Sequence, residues 1–151
     1  MQIGIRTGPG DRPRIFQGRI SKEVVMKLST LFLINGIVAL LFGLGFVLIP
    51  GTVVSWYGVT LDEAATYISR LYGSALLGFA IISFMVRNAT GSGELRAILA
   101  AFAFGDLLGF VLSLIYQLQG VANTLGWTTV VIYLALGVAF GAAYMRQRGA
   151  G

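Results

Sequence analysis

The chain contains no cysteine and no histidine. The first absence excludes disulfides and thiolate metal sites, and the second excludes an imidazole base and a histidine haem ligand. Charge is scarce as well: 11% of the residues are Asp, Glu, Lys or Arg, against roughly 25% in a soluble globular protein. Most familiar membrane-enzyme chemistries are thereby removed, and neither a metal nor a cofactor is expected. Hydrocarbon takes the place of charge. Of 151 residues, 56% are hydrophobic, and the mean hydropathy is +0.82. Such a chain reads as an integral membrane protein. A formal charge of +5 would suggest nucleic-acid binding in a soluble domain, but here basic residues have a simpler use in fixing orientation, so no nucleic-acid partner is expected.

A helix needs about 20 mostly apolar residues to cross a bilayer core. Four runs meet this, at residues 28–49, 64–86, 95–118 and 125–145. Pro50 and Gly51 close the first run, Thr60 and Glu63 in "TLDE" form a capping box for the second, Ser92 precedes the third and Asn123 the fourth. Short connections make sequential helices antiparallel, so the expected fold is an all-α, up-down-up-down bundle of four transmembrane helices.

Basic residues set the expected topology. Arg6, Arg12, Arg14, Arg19, Lys22 and Lys27 precede the first span, Arg87 and Arg96 flank the second loop, and Arg146 and Arg148 follow the fourth span. The first and third loops carry no Lys or Arg, only Asp62 and Glu63. The positive-inside rule places both termini in the cytoplasm, with Trp56, Tyr57 and Trp127 in an aromatic belt at the outer boundary. The domain plan is a basic, Gly/Pro-containing arm (1–25), the bundle (26–146) and a short tail (147–151). The arm reads either as a disordered tail, from its low hydrophobicity, or as a segment docking on a partner or on anionic lipid through Ile15, Phe16 and Ile20. It is too polar to span, and no small-residue cleavage site follows the first apolar run, so that run is expected to be retained as a helix.

In lipid, helices associate through close packing that small residues permit. Ala97, Ala101, Gly105, Gly109 and Ser113 recur at every fourth position of the third span; Gly137 and Gly141 repeat the spacing in the fourth, and Ser74 and Gly78 in the second. These ridges serve packing within the bundle or against another chain.

The stretch "AFAFGDLLGF" sets Asp106 near the middle of the third span, roughly 18 Å of helix rise from its outer end. A carboxylate there costs about 2.5–3.5 kcal/mol on insertion scales, so it must face inward, pair or take up a proton. Gly109, Ser113 and Gln117 share its helix face. Arg70 of the second span lies about 9 Å below the outer end, within reach of Asp106 or of the interface. Tyr133 lies at a comparable depth, and Asn35 nearer the cytoplasm. Two readings of an Arg70, Asp106, Tyr133, Gln117 and Asn35 cluster stand. It fixes helix register as a buried pair, or it lines a polar cavity that holds a ligand.

The order "SRLYGSALLGF", "RNATGSGELRAILAAFAFGD" and "QLQGVANTLGW", followed by a last span, resembles a set of small bacterial four-helix membrane proteins of DoxX-like size and layout. The resemblance covers residues 26–146 and leaves the arm outside it. It implies a protein of the bacterial cytoplasmic membrane without an assigned activity, and carries over no catalytic residues. The expected role is a non-catalytic accessory or structural subunit, packed in a larger membrane complex or a homo-oligomer. The alternative is a small carrier or binder of a lipid-like, quinone-like or anionic ligand at Arg70 and Asp106. An enzyme ranks below both: Asp62, Glu63 and Glu94 suit helix starts, and no motif for hydrolysis, phosphoryl transfer or redox chemistry is visible.

Overall fold

The computed structural model describes residues 14–90 and 93–148, with side chains from Lys27 onward. The described chain is all-α: α1 (Arg14–Leu48), α2 (Pro50–Ser55), α3 (Glu63–Val86), α4 (Gly93–Leu118) and α5 (Gly126–Arg148). The segments Lys27–Leu48, Glu63–Val86, Gly93–Leu118 and Gly126–Arg148 are long and apolar enough to cross a membrane. Their outward surfaces carry exposed Leu41, Met85, Phe104 and Leu118, a surface that suits lipid and would be an aggregation hazard in water. The chain is a multi-pass membrane protein built as a four-helix bundle.

Local chemistry accounts for the element boundaries. Pro50 has no N–H to donate and disfavours helical geometry in the residue before it. Ile49 accordingly leaves the helix at φ −136°, and α2 restarts with Pro50 in its first turn. The start of α3 departs from the expected capping box. Asp62 is the N-cap, its carboxylate accepting from the Ala65 N–H at 2.7 Å. An ionised oxygen facing the positive end of a helix outcompetes the hydroxyl of Thr60. Ser92, the cap expected for the third span, lies outside the described residues. The region expected as a possible disordered arm is helical from Arg14, because extending a helix already nucleated by the span costs little per residue.

The four long helices form two antiparallel hairpins, α1 against α3 and α4 against α5. Within the first hairpin the backbones nearly touch. A Cβ on Gly73 would lie 2.9 Å from the Gly43 carbonyl oxygen, the Phe46 Cβ and the Val47 nitrogen, and one on Gly36 would lie 2.7 Å from the Phe84 ring. In the second hairpin, Gly109 lies under the Tyr133 ring and Gly137 under Leu107.

Between hairpins the contact is made by large rings. Phe32 packs on Phe102 and Phe140 with centroids 6.1 and 5.4 Å apart, and Phe79 packs on Phe102 at 5.8 Å. These rings belong to a core of Leu28, Phe32, Leu95, Leu99, Ala103, Leu136 and Phe140. That core occupies the half of the bundle nearer Arg87, Arg96 and Arg146, here called the arginine end. The opposite half, capped by Trp56 and Trp127, is the aromatic end.

Candidate functional site: a cavity between the hairpins

Large rings hold the hairpins apart in the arginine half, and the loops tie them together at the aromatic end. The tie is Asn123. Its Nδ2 donates to the Trp56 carbonyl at 2.9 Å, its Oδ1 accepts from the Leu125 N–H at 2.9 Å, and its own N–H donates to the Tyr57 carbonyl at 2.9 Å. Gly58, at φ +76°, supplies the left-handed turn beside it. Gln117 braces the same loop by donating to the Ala122 and Asn123 carbonyls at 3.3 and 3.1 Å.

Between the ring-packed core and this tie lies a cavity of about 290 Å³. Helix α1 lines it with Asn35, Val38, Ala39, Phe42 and Phe46, and α3 with Tyr72 and Leu76. Val54 and Tyr57 line it from the first loop region, and Asp106 from α4. Ala122, Thr129, Ile132, Tyr133 and Leu136 complete the wall from the second hairpin.

The polar groups of the wall are largely committed to one another. The hydroxyls of Tyr72 and Tyr133 share a hydrogen bond of 2.5 Å across the hairpins, and Thr129 donates to the Tyr57 hydroxyl at 3.3 Å. Asn35, buried, donates its amide to Ser83 at 2.9 Å, linking α1 to α3 inside the apolar interior. Asp106 is the exception: its Oδ2 is buried without a hydrogen-bond partner. A buried polar atom of this kind is rare, since its desolvation is left uncompensated.

Of the five polar residues grouped by the sequence, the structure brings Asp106, Tyr133 and Asn35 to one cavity. Gln117 sits above it, in the loop bracing. Arg70 does not join. It is exposed, with Tyr67, Leu71 and Ser74 exposed around it. The expected pairing with Asp106 therefore gives way to geometry: Arg70 is two residues from the cavity-lining Tyr72, about 200° around the helix.

The small-residue ridges divide in the same manner. Gly109 and Gly137 meet a neighbouring helix, but a Cβ on Gly78, Gly105 or Gly141 would meet nothing within 4 Å. Ala97, Ala101 and Ser74 are exposed, and the half-buried Ser113 turns its hydroxyl onto the Phe110 carbonyl at 3.0 Å. Four residues advance a helix by slightly more than one turn, so a fourth-position ridge drifts about 40° per step and only part of it faces inward.

Sequence reasoning missed most of the wall. Tyr72, Thr129, Phe42 and Phe46 look like ordinary span residues, and Tyr57, expected in the interfacial belt, is half-buried in the cavity wall. A usable signal was present in Tyr72 and Tyr133, hydroxyl-bearing residues at equal depth in the second and fourth spans. Comparison of the chain with protein-family models, with curated proteins and with solved structures finds no match. The functional reading rests on the geometry.

Proposed function

We propose that this protein binds a small, mostly apolar molecule in the inter-hairpin cavity, as a carrier or as a non-catalytic binding protein. It would do so in the bacterial cytoplasmic membrane with both termini in the cytoplasm. The observation that carries the reading is a cavity of about 290 Å³ with an unpartnered buried carboxylate oxygen in its wall. Ligand sites are concave, largely apolar and furnished with a few placed polar groups, and this cavity has that constitution. The charge bias of the loops supports the location, as does the sequence's resemblance in layout to small bacterial four-helix membrane proteins. An anionic ligand is disfavoured, because Arg70, its expected anchor, faces away.

The test is native mass spectrometry of the protein released gently from lipid discs, comparing wild type with Ala39→Leu. The variant adds side-chain volume at a buried position of the cavity wall. A small molecule held by wild type and absent from a folded Ala39→Leu is the expected result. Equal occupancy in both would place the ligand elsewhere.

A second reading, an accessory subunit of a larger assembly or a homo-oligomer, draws on α4. Its Ala97, Ala101 and Gly105 form an exposed strip with open space over Gly105, room in which another helix could pack closely. The same mass measurement separates the two, since a defined larger particle at native abundance favours the subunit.

A further inference from the structure

We infer that the cavity selects an organic cation: a small lipophilic amine whose ammonium group pairs with Asp106 and whose apolar body lies among Phe42, Phe46, Tyr57, Tyr72 and Tyr133. The inference rests on the binding reading above and specifies its ligand.

Three observations converge on it. The first is charge. The wall contains Asp106 and no Lys or Arg, and Arg70, the nearest candidate in depth, is exposed on another face of its helix. A buried carboxyl with no internal counter-charge holds its own charge only when a ligand supplies the opposite one, so pairing with a cation is the interaction it gains most from.

The second is the balance of donors and acceptors. Asn35 donates to Ser83, Thr129 donates to Tyr57, and one hydroxyl of the Tyr72–Tyr133 pair donates to the other, so none of these bonds serves Asp106. Asp106 Oδ2 still lacks a donor. An ammonium carries N–H donors and no acceptor, so it matches what Asp106 lacks, whereas a carboxylate ligand would set acceptors against an acceptor.

The third is the lining itself. Five aromatic side chains share the cavity wall with the one acid, and aromatic rings attract cations through their quadrupoles, most strongly where water is excluded. At about 290 Å³ the space lies at the lower edge of the range for drug-sized ligands, roughly 300–1,000 Å³, which suits a single-ring amine better than a long-chain lipid.

The experiment uses the full-length protein in lipid discs and three probes of one shape and different charge: 2-phenylethylamine, 2-phenylethanol and 3-phenylpropanoate. Binding is measured by equilibrium dialysis at neutral pH, with empty discs of the same lipid subtracted. Wild type is expected to bind the amine at least tenfold more tightly than the alcohol and to give no signal with the carboxylate. Asp106→Asn should bring the amine down to the alcohol's affinity, while Asp106→Glu should keep the preference for the amine.

Equal affinity for amine and alcohol in wild type, or a preference that survives Asp106→Asn, would overturn the cation assignment. If the alcohol still bound and Ala39→Leu abolished it, the cavity would stand as a site for neutral molecules. If none of the three probes bound, the binding reading would fall with the assignment. Thermal unfolding in the discs verifies that each variant is folded; should Asp106→Asn fail that check, the wild-type ratio of amine to alcohol decides alone.

Discussion

Asn123 and Asn35 show how far single polar residues act in this bundle. Asn123 stitches two loops with its side chain, so Asn123→Ala removes the bonds to the Trp56 carbonyl and the Leu125 N–H but keeps the backbone bond to Tyr57. The expected loss is about 1–2 kcal/mol, near the net worth of two neutral hydrogen bonds. It should appear in hydrogen exchange as faster labelling of residues 56–58 and 119–125, with α1 unaffected. Asn35→Ala breaks the buried link to Ser83. Interhelical hydrogen bonds in membranes average about 0.6 kcal/mol and reach about 1.7, so unfolding in mixed micelles should shift by an amount in that interval. Asn35 and Asp106 were legible in the sequence because polar residues are conspicuous in an apolar span. Ser83 was not, since serine is ordinary there. Arg70 misled because depth follows from counting residues, whereas the side a residue faces depends on which helices become neighbours.

For the helices as units, spacing decides more than residue type. The close contact of α1 with α3 is made by glycines seven apart, Gly36 under the Phe84 ring and Gly43 against Leu77 and the Gly73 carbonyl. Seven residues return nearly to the same face, while four drift off it. The fourth-position pattern was the one noticed in the sequence, and the seventh-position pattern was equally present. Gly73→Ala should destabilise the protein by about 1–3 kcal/mol, the usual cost of overpacking, because the new methyl meets backbone. Gly78→Ala, with nothing within 4 Å of its Cβ, should be neutral or stabilising by up to about 1 kcal/mol from helix propensity. Thermal melts of both variants side by side test the contrast. At the start of α3, Asp62→Ala should cost about 0.5–2 kcal/mol as a lost N-cap, and Thr60→Ala close to nothing.

On the scale of the molecule, the span boundaries read from hydropathy agree with the helices to within a few residues, since bilayer thickness and backbone satisfaction leave little freedom. Pairing was less legible. The sequence predicts a four-helix bundle, but the structure shows close backbone contact inside each hairpin and ring-mediated contact between them, a difference that arises only once side-chain directions are known. It predicts that halves produced separately, cut between residues 90 and 93, recover each other when co-expressed. Asn123→Ala should weaken that recovery more than Asn35→Ala, which acts within one hairpin; co-purification of tagged halves measures it. The space left between the hairpins has a further consequence in a variable other than temperature or denaturant. Void volume that vanishes on unfolding makes the folded state the larger one, so hydrostatic pressure acts against it. This bundle should therefore be soft to compression, yielding first at its aromatic half, and a molecule seated beside Asp106 should harden it.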